Sequence, residues 1–177
     1  MNLFVDTSNS YIILVLFHNE LVDKKIIETN KNQSEIFFNV LDSFLVNNNI
    51  DINNIDKFYF ACGPGSFTGI RVGLTFAKAL ACSNKNKVYT ISSLDMLLGD
   101  VQNGIALIDA RGNKYYVRKK EDNIFKEIEL INKDDLVNDN YITYDSSLDN
   151  IPNNIIYLVN NNYYSDNIES LYVKAAF

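Results

Sequence analysis

The chain has few of the residues that build disulfides, metal sites and histidine-dependent active sites. Its 177 residues include two cysteines and a single histidine. Because His18 lies in a predicted hairpin turn, the sequence excludes histidine-based acid–base catalysis and a histidine-rich zinc site. Cys62 ends a predicted strand and Cys82 lies near the end of a predicted helix, so we expect buried, reduced thiols rather than a disulfide.

Long apolar runs and long basic runs are also missing. No apolar segment approaches the roughly 18 residues that a membrane-spanning helix needs, and Asp6 interrupts the first apolar run, unlike a secretory signal. The net charge of −6 comes from residues 91–177. The basic cluster there consists of Lys114, Arg118, Lys119 and Lys120. Acidic residues follow it at once, which disfavours autonomous nucleic-acid binding. We expect a soluble, cytoplasmic protein without a membrane partner.

The same order of elements is predicted twice along the chain. Alternating apolar residues and polar turns predict strand, turn, strand, turn, strand in both places. The first copy covers residues 2–5, 11–17 and 21–28, and the second covers 104–108, 114–119 and 124–130. Asp6 and Asp109 close the first strand of each copy. This repetition indicates a structural duplication.

Between the copies, the chain alternates between helices and strands. Apolar residues at helical spacing predict a helix over 33–46, with Asn32 and Glu35 resembling a capping box. A strand over 57–62, a helix over 67–82, a strand over 87–91 and a short helix from Ser92 follow. The order βββαβαβα over residues 1–100 is that of the ribonuclease H-like fold.

The remainder of the chain, residues 101–177, predicts a reduced second lobe. After its three strands we expect a weak helix near 134–137 and a strand at 155–159. Two such lobes side by side give an α/β, actin-like ATPase (ASKHA) architecture with mixed sheets of the five-stranded type and an abridged second lobe.

A glycine-rich turn lies between the strand over 57–62 and the helix that follows it. Its motif residues are Gly63, Pro64, Gly65, Ser66, Phe67, Thr68, Gly69 and Arg71. Gly63 and Gly65 allow positive φ, and Ser66 or Thr68 can cap the helix. The turn is neither a Walker sequence nor a nucleophile elbow. Its backbone N–H groups either hold an anion or pin the helix to the sheet.

The two strand-ending carboxylates leave several chemistries open. Asp6 and Asp109 are placed to hold magnesium in a stand-alone ATPase or phosphotransferase, or a metal in a nuclease. A nuclease needs further carboxylates, which the first lobe does not offer. An ATPase needs glycine after the first aspartate, where this chain has Thr7, Ser8 and Asn9. The remaining alternative is that each aspartate caps its own turn.

Small residues recur every four positions along the helix after the glycine-rich turn. They are Gly69, Gly73, Ala77 and Ala81. This spacing makes a flat stripe that allows close helix packing. Its neighbour is either the protein's own sheet or first helix, or a helix of another chain.

Residues 60–74 resemble the signature of the bacterial TsaB (YeaZ) family. Further matches include residues 5–8, 34–35, 92–94, 108–111, 115–116 and 171–174. The resemblance implies an actin-like subunit without catalytic activity. Such a subunit pairs with TsaD and stabilises it, and acts with the ATPase TsaE. The complex adds threonylcarbamoyl to the adenosine beside the anticodon of tRNAs that read ANN codons.

The resemblance also implies an interface built from the first helix and the helix after the glycine-rich turn. The interface residues that we expect are Ile36, Phe37, Val40, Gly69, Gly73, Ala77 and Ala81. The same surface is expected to form a homodimer when the protein is alone, and the contact with TsaD to hold ADP or ATP. tRNA is reached only through the complex. Gln33 replaces the histidine common in the family, and the second lobe is shorter, so contacts that depend on either are expected to differ.

Overall fold

Two β-sheets organise the chain in the computed structural model, which describes residues 1–30, 32–83, 87–137 and 140–171. The first sheet contains β1 (Asn2–Asp6), β2 (Tyr11–Phe17), β3 (Leu21–Glu28), β4 (Lys57–Ala61) and β5 (Lys87–Ile91). The helices among these strands are α1 (Gln33–Asn47) and α2 (Phe67–Cys82), and α3 (Ser93–Leu98) follows β5. The second sheet contains β6 (Gly104–Arg111), β7 (Lys114–Glu121), β8 (Ile124–Asn132) and β9 (Tyr141–Ile142), followed by α4 (Tyr144–Ser147) and α5 (Ile151–Asn160).

The strand order of the first sheet confirms the predicted ribonuclease H-like arrangement. The order is β3-β2-β1-β4-β5. β1 and β3 pair antiparallel to β2, whereas β4 pairs parallel to both β1 and β5. A parallel pair needs a crossover connection, and α1 and α2 supply the two crossovers.

Both faces of the first sheet are buried, because successive residues of a strand point to opposite sides. In β1, Leu3 and Val5 lie in the core beneath α1 and α2. Phe4 lies in a second core formed with α3, α5 and the inner face of the second sheet. The two halves of the chain therefore share this second core.

The second sheet repeats the order of the first in shortened form. Its order is β8-β7-β6-β9, and β9 pairs parallel to β6 through only two residue pairs. Within the described residues this sheet has four strands, one fewer than the first sheet. The predicted two-lobed, abridged architecture is confirmed, whereas the division at residues 100 and 101 stays a prediction.

Three local predictions were wrong. Residues 155–159 form part of α5, because Ile151, Ile155 and Leu158 recur at helical spacing and bury one face, which outweighs the strand preference of β-branched residues. The helix near 134–137 is only a 3₁₀ turn over Lys133–Asp135. Asn32 precedes α1, but its side chain makes no capping hydrogen bond.

Side chains from the second half of the chain donate hydrogen bonds to carbonyl groups at the carboxyl end of the short helix α3. Asn154 Nδ2 donates to the carbonyl oxygens of Met96 (3.0 Å) and Leu97 (3.3 Å). The buried Lys120 Nζ donates to the carbonyl oxygen of Gly99 at 2.6 Å. These contacts satisfy carbonyl groups at a helix end that the helix itself leaves unpaired. The short helix and the second half therefore hold each other in place.

An ion pair between Asp95 of α3 and Arg118 of β7 also links α3 to the second half of the chain, with 2.9 Å between Asp95 Oδ1 and Arg118 Nε. Burial raises the pKa of the Asp95 carboxyl to about 6, although Arg118 and Lys120 act in the opposite direction. A raised folded-state pKa means that the folded protein holds the Asp95 proton more tightly than the unfolded chain does. The protonated Asp95 carboxyl therefore contributes to the stability of the folded protein below pH 4, and this contribution is lost as the pH rises through 6.

We therefore expect the Asp95→Asn substitution to change the pH dependence of stability. The free energy of unfolding of the wild type, relative to Asp95→Asn, should fall by about 2–3 kcal/mol between pH 4 and pH 7. Urea unfolding at several pH values measures this difference. Asp42→Asn, an exposed position on α1, is the matched control. Parallel pH profiles for wild type and Asp95→Asn would contradict the assignment.

Candidate functional site

The glycine-rich turn seats the start of α2 on the turn between β1 and β2. The Ser66 N–H donates to the carbonyl oxygen of Ser8 at 2.6 Å, and Thr7 Oγ1 donates to the carbonyl oxygen of Gly69 at 2.7 Å. The Ser66 side chain caps α2 by accepting from the Gly69 N–H at 3.3 Å. These N–H groups are satisfied by the chain's own oxygens, so the turn pins the helix to the sheet.

The glycines of this turn are required for different reasons. Gly63 has a φ of +96°, which favours glycine. Gly65 does not have the expected positive φ; a Cβ there would overlap the carbonyl oxygen of Ser8. A Cβ at Gly69 would overlap the carbonyl oxygen of Thr7. Close backbone approach, more than turn conformation, explains two of the three glycines.

The stripe of small residues faces the protein's own interior. A Cβ at Gly73 would lie 3.0 Å from Thr7 Oγ1 and 3.8 Å from the Phe60 ring. Gly69, Gly73 and Ala77 are all buried. The prediction that these three residues meet another chain was therefore wrong. They lack side chains because the helix lies so close to its own sheet.

The other predicted interface residues are buried or half-buried in the protein's own core. Phe37 and Val40 are buried in the core beneath α1, so they too are withdrawn from any partner. Ile36 and Ala81 are half-buried and pack against that core. The exposed sides of α1 and α2 carry other residues.

Asp6 is buried and surrounded by hydrogen-bond donors. Its carboxylate accepts from the Ser8 N–H (2.6 Å), Asn9 Nδ2 (2.9 Å) and the Tyr144 hydroxyl (2.9 Å). Burial raises the pKa of Asp6, while these hydrogen bonds lower it. Tyr144 comes from α4, so the second half of the chain covers this strand end directly.

Asp109, at the equivalent strand end of the second sheet, is exposed and accepts from the Arg111 N–H at 2.8 Å. Both aspartates therefore cap the turns that follow them, which was one of the alternatives left open by the sequence. In the described ranges, no group of three or more His, Cys, Asp or Glu side chains has an arrangement suited to a metal ion.

Gln33 has a structural contact that sequence reasoning missed. It is 8% exposed, and its Nε2 donates to the carbonyl oxygen of Asn9 at 2.6 Å. The side chain thus ties the first residue of α1 to the same turn that receives α2. No local sequence signal reports such a contact, because the two residues are 24 positions apart.

An apolar groove lies between the exposed sides of α1 and α2. Its volume is about 450 Å³. It is lined by Ser34, Phe38, Phe67, Thr68, Arg71, Val72, Thr75, Phe76 and Ala79. We call this surface the α1–α2 groove. Phe38 and Phe67 are 56% and 53% exposed, which is unusual for such large apolar side chains.

Aromatic contacts hold the walls of the α1–α2 groove in place. The Phe38 ring meets the Phe76 ring edge-on at 5.6 Å between centroids, and Phe76 contacts Phe58 and Phe60 in the core. The exposed ring is therefore packed against a chain of rings that continues into the interior. The sequence signal for this surface was Phe38, an aromatic residue that follows the core-facing Phe37.

Two further expectations concern the thiols and the membrane. Cys62 is buried, and burial raises the pKa of its thiol to about 11. Cys82 is exposed, so the expectation that both thiols are buried was wrong for it. Neither forms a disulfide. Within the part of the chain that the structure describes, no helix is long and apolar enough to cross a membrane.

The seating of α2 predicts a large effect of a single methyl group. Gly69→Ala places a Cβ against the Thr7 carbonyl oxygen, so α2 must shift and the protein should lose about 3 kcal/mol of stability. Urea unfolding measures the loss. Thr68→Ala, at the exposed neighbouring position, should cost less than about 1 kcal/mol. Equal stability of the two variants would show that the contact tolerates a side chain.

The comparisons with known proteins agree with this fold. A family model described as "TsaD: tRNA N6-adenosine threonylcarbamoyltransferase" matches residues 24–168. The "Uncharacterized protein MG208 homolog" of Mycoplasma pneumoniae is 31% identical, over 97% of this chain and 94% of that protein.

A second curated relative is the "tRNA threonylcarbamoyladenosine biosynthesis protein TsaB" of Haemophilus influenzae. It is 38% identical over 50% of this chain, and the match spans 42% of the relative's own length. A solved structure described as an uncharacterized protein with similarity to peptidase YEAZ from Pseudomonas aeruginosa superposes with a TM-score of 0.77. It covers 98% of this chain and 99% of its own, at 13% identity, which supports the fold alone. The family model covers most of the chain, so the chain belongs to the family that this model describes, and the curated TsaB relatives identify it as a TsaB/YeaZ member of that family.

Proposed function

We propose that this protein takes part in tRNA threonylcarbamoyladenosine biosynthesis as a non-catalytic subunit that pairs with TsaD and stabilises it. The observation that carries the proposal is the α1–α2 groove, an apolar surface with two aromatic side chains exposed to solvent. The name of the TsaB relative and the TsaD description of the matching family model give the proposal its pathway and its partner.

The α1–α2 groove has the properties of a protein-binding surface. Exposed apolar patches bounded by polar residues mark interaction sites, and aromatic side chains supply much of the binding energy at such sites. Phe38 is already held by Phe76, so little side-chain entropy is lost when a partner covers it. Two neighbouring helices also present ridges between which a partner helix can pack.

The geometry around Asp6 favours a non-catalytic role. Asp6, Thr7 and Ser8 are buried, and the start of α2 lies directly against this turn. A nucleotide held as in an actin-like ATPase needs its phosphates close to this backbone, but Gly69 and Tyr144 already occupy the approach. The alternative of a stand-alone ATPase or phosphotransferase that uses Asp6 and Asp109 therefore has weaker support. Nucleotide turnover by the isolated protein, abolished in Asp6→Ala, would favour that alternative.

The other parts of the proposal rest on the resemblance to the TsaB (YeaZ) family. We place the protein in the cytoplasm, with TsaE as a further partner, with ADP or ATP at the contact with TsaD and with tRNA reached only through the complex. The same groove would be covered in a homodimer when TsaD is absent. We expect the shortened second sheet to contribute fewer of these contacts.

The pairing is tested with Phe38→Ser. Removing an aromatic anchor from the α1–α2 groove should weaken the complex with TsaD by about 2 kcal/mol or more, roughly thirtyfold in Kd. Because Phe38 is half-exposed, the variant should stay folded. Calorimetry with purified TsaD from the same organism measures Kd, and size-exclusion chromatography of the variant alone reports on the homodimer.

Val46→Ser is the matched control, since Val46 is an exposed apolar residue of α1 that does not line the groove. It should bind TsaD like the wild type. The proposal fails if wild-type protein and TsaD do not associate, or if TsaD alone modifies tRNA at the full rate. Equal binding by Phe38→Ser and Val46→Ser would place the interface elsewhere.

A further inference from the structure

One cation stands in the otherwise uncharged lining of the α1–α2 groove. Of the nine residues that line the groove, Arg71 alone carries a formal charge. Its guanidinium lies over the Phe67 ring, 3.9 Å from the centroid. Within the described residues, no carboxylate forms an ion pair with Arg71 and no side-chain hydrogen bond fixes it. The guanidinium donors are therefore available to a partner.

Arg71 also lines a second, smaller cavity of about 110 Å³. This cavity lies between the glycine-rich turn, Tyr116 of β7 and Leu171. Phe67 and Arg71 are common to the linings of both cavities, so the stacked pair forms the boundary between them. A molecule that covers the groove and extends past α2 must pass over the guanidinium.

The unpaired guanidinium of Arg71 determines which chemical group a covering molecule must present to it. Covering an unpaired guanidinium with an apolar surface removes its water without replacing the hydrogen bonds, which is costly. A carboxylate can instead accept two parallel N–H bonds from the planar guanidinium. The contact with the Phe67 ring restrains the guanidinium, whose N–H donors have no carboxylate partner within the described residues.

We propose that Arg71 selects the partner of the α1–α2 groove. The partner surface presents apolar side chains to the groove and an acidic side chain to Arg71, where the groove meets the smaller cavity. This inference rests on the proposed pairing with TsaD and adds the charge that the partner must carry. Partners that offer an apolar or basic group at this position bind poorly, so the residue contributes specificity as well as affinity.

The test compares Arg71→Met, which keeps an unbranched side chain over Phe67, with Arg71→Lys, which keeps the charge. Arg71→Met should weaken binding to TsaD by about tenfold or more and reduce the dependence of Kd on salt. Arg71→Lys keeps the charge but cannot make two parallel hydrogen bonds to a carboxylate, so it should bind less tightly than the wild type and more tightly than Arg71→Met, with a salt dependence of Kd close to that of the wild type. Lys78→Met is the matched control on the exposed side of α2, outside the groove lining. It should change Kd less than about twofold.

The outcomes separate this inference from the proposed function. If wild-type protein binds TsaD and Phe38→Ser does not, while Arg71→Met and Lys78→Met bind alike at low and high salt, the pairing stands and the role of Arg71 is refuted. If Arg71→Lys and Arg71→Met have the same Kd at low and at high salt, the charge of Arg71 does not contribute to binding and the charge inference is also refuted. If the wild type fails to bind TsaD, the proposed function fails first. Near-UV circular dichroism confirms that each variant is folded.

Discussion

The close approach of α2 to the turn between β1 and β2 is the contact on which the rest of the structure depends. It is possible only because Gly65 and Gly69 have no side chains where the backbone of Ser8 and Thr7 passes. Two hydrogen bonds, from Ser66 N–H and from Thr7 Oγ1, then fix the helix to the turn. Gln33 ties α1 to that turn as well, so the two outer helices of the first sheet share one anchor. The position of the α1–α2 groove follows from this anchor.

The same contact separates the buried side of α2 from the exposed side that we propose to bind a partner. The small residues face inward, where side chains would collide with the sheet, and Phe67, Arg71 and Thr75 consequently lie on the outer side. The close packing therefore buries the stripe of small residues, whereas the outer side of α2 remains exposed to solvent. An interface on this side does not require helices that approach unusually closely. It requires aromatic side chains held by the core, and Phe76 provides this for Phe38.

The sequence predicted the features that depend on local pattern. The strand order of the first sheet follows from period-2 alternation and from two helical crossovers, and residues 60–74 contain the family signature. The sequence could not show whether the stripe of small residues faces the protein's own sheet or another chain, because glycine permits close approach to either neighbour. The contacts of Tyr144 with Asp6 and of Gln33 with Asn9 join residues far apart in the chain. In α5, local strand preference misled the prediction because burial of Ile151, Ile155 and Leu158 decides the conformation there.

The second half of the chain, although short, makes several buried polar contacts with the first half. Tyr144 donates to Asp6, Lys120 and Asn154 donate to carbonyl groups at the end of α3, and Arg118 pairs with Asp95. These groups are mostly buried, and if the halves separated each would exchange its partner for water, at a net cost of about 1 kcal/mol for each hydrogen bond. A nucleotide bound between the two sheets would have to break these contacts. The buried polar contacts between the two halves therefore support the proposed non-catalytic role independently of the α1–α2 groove.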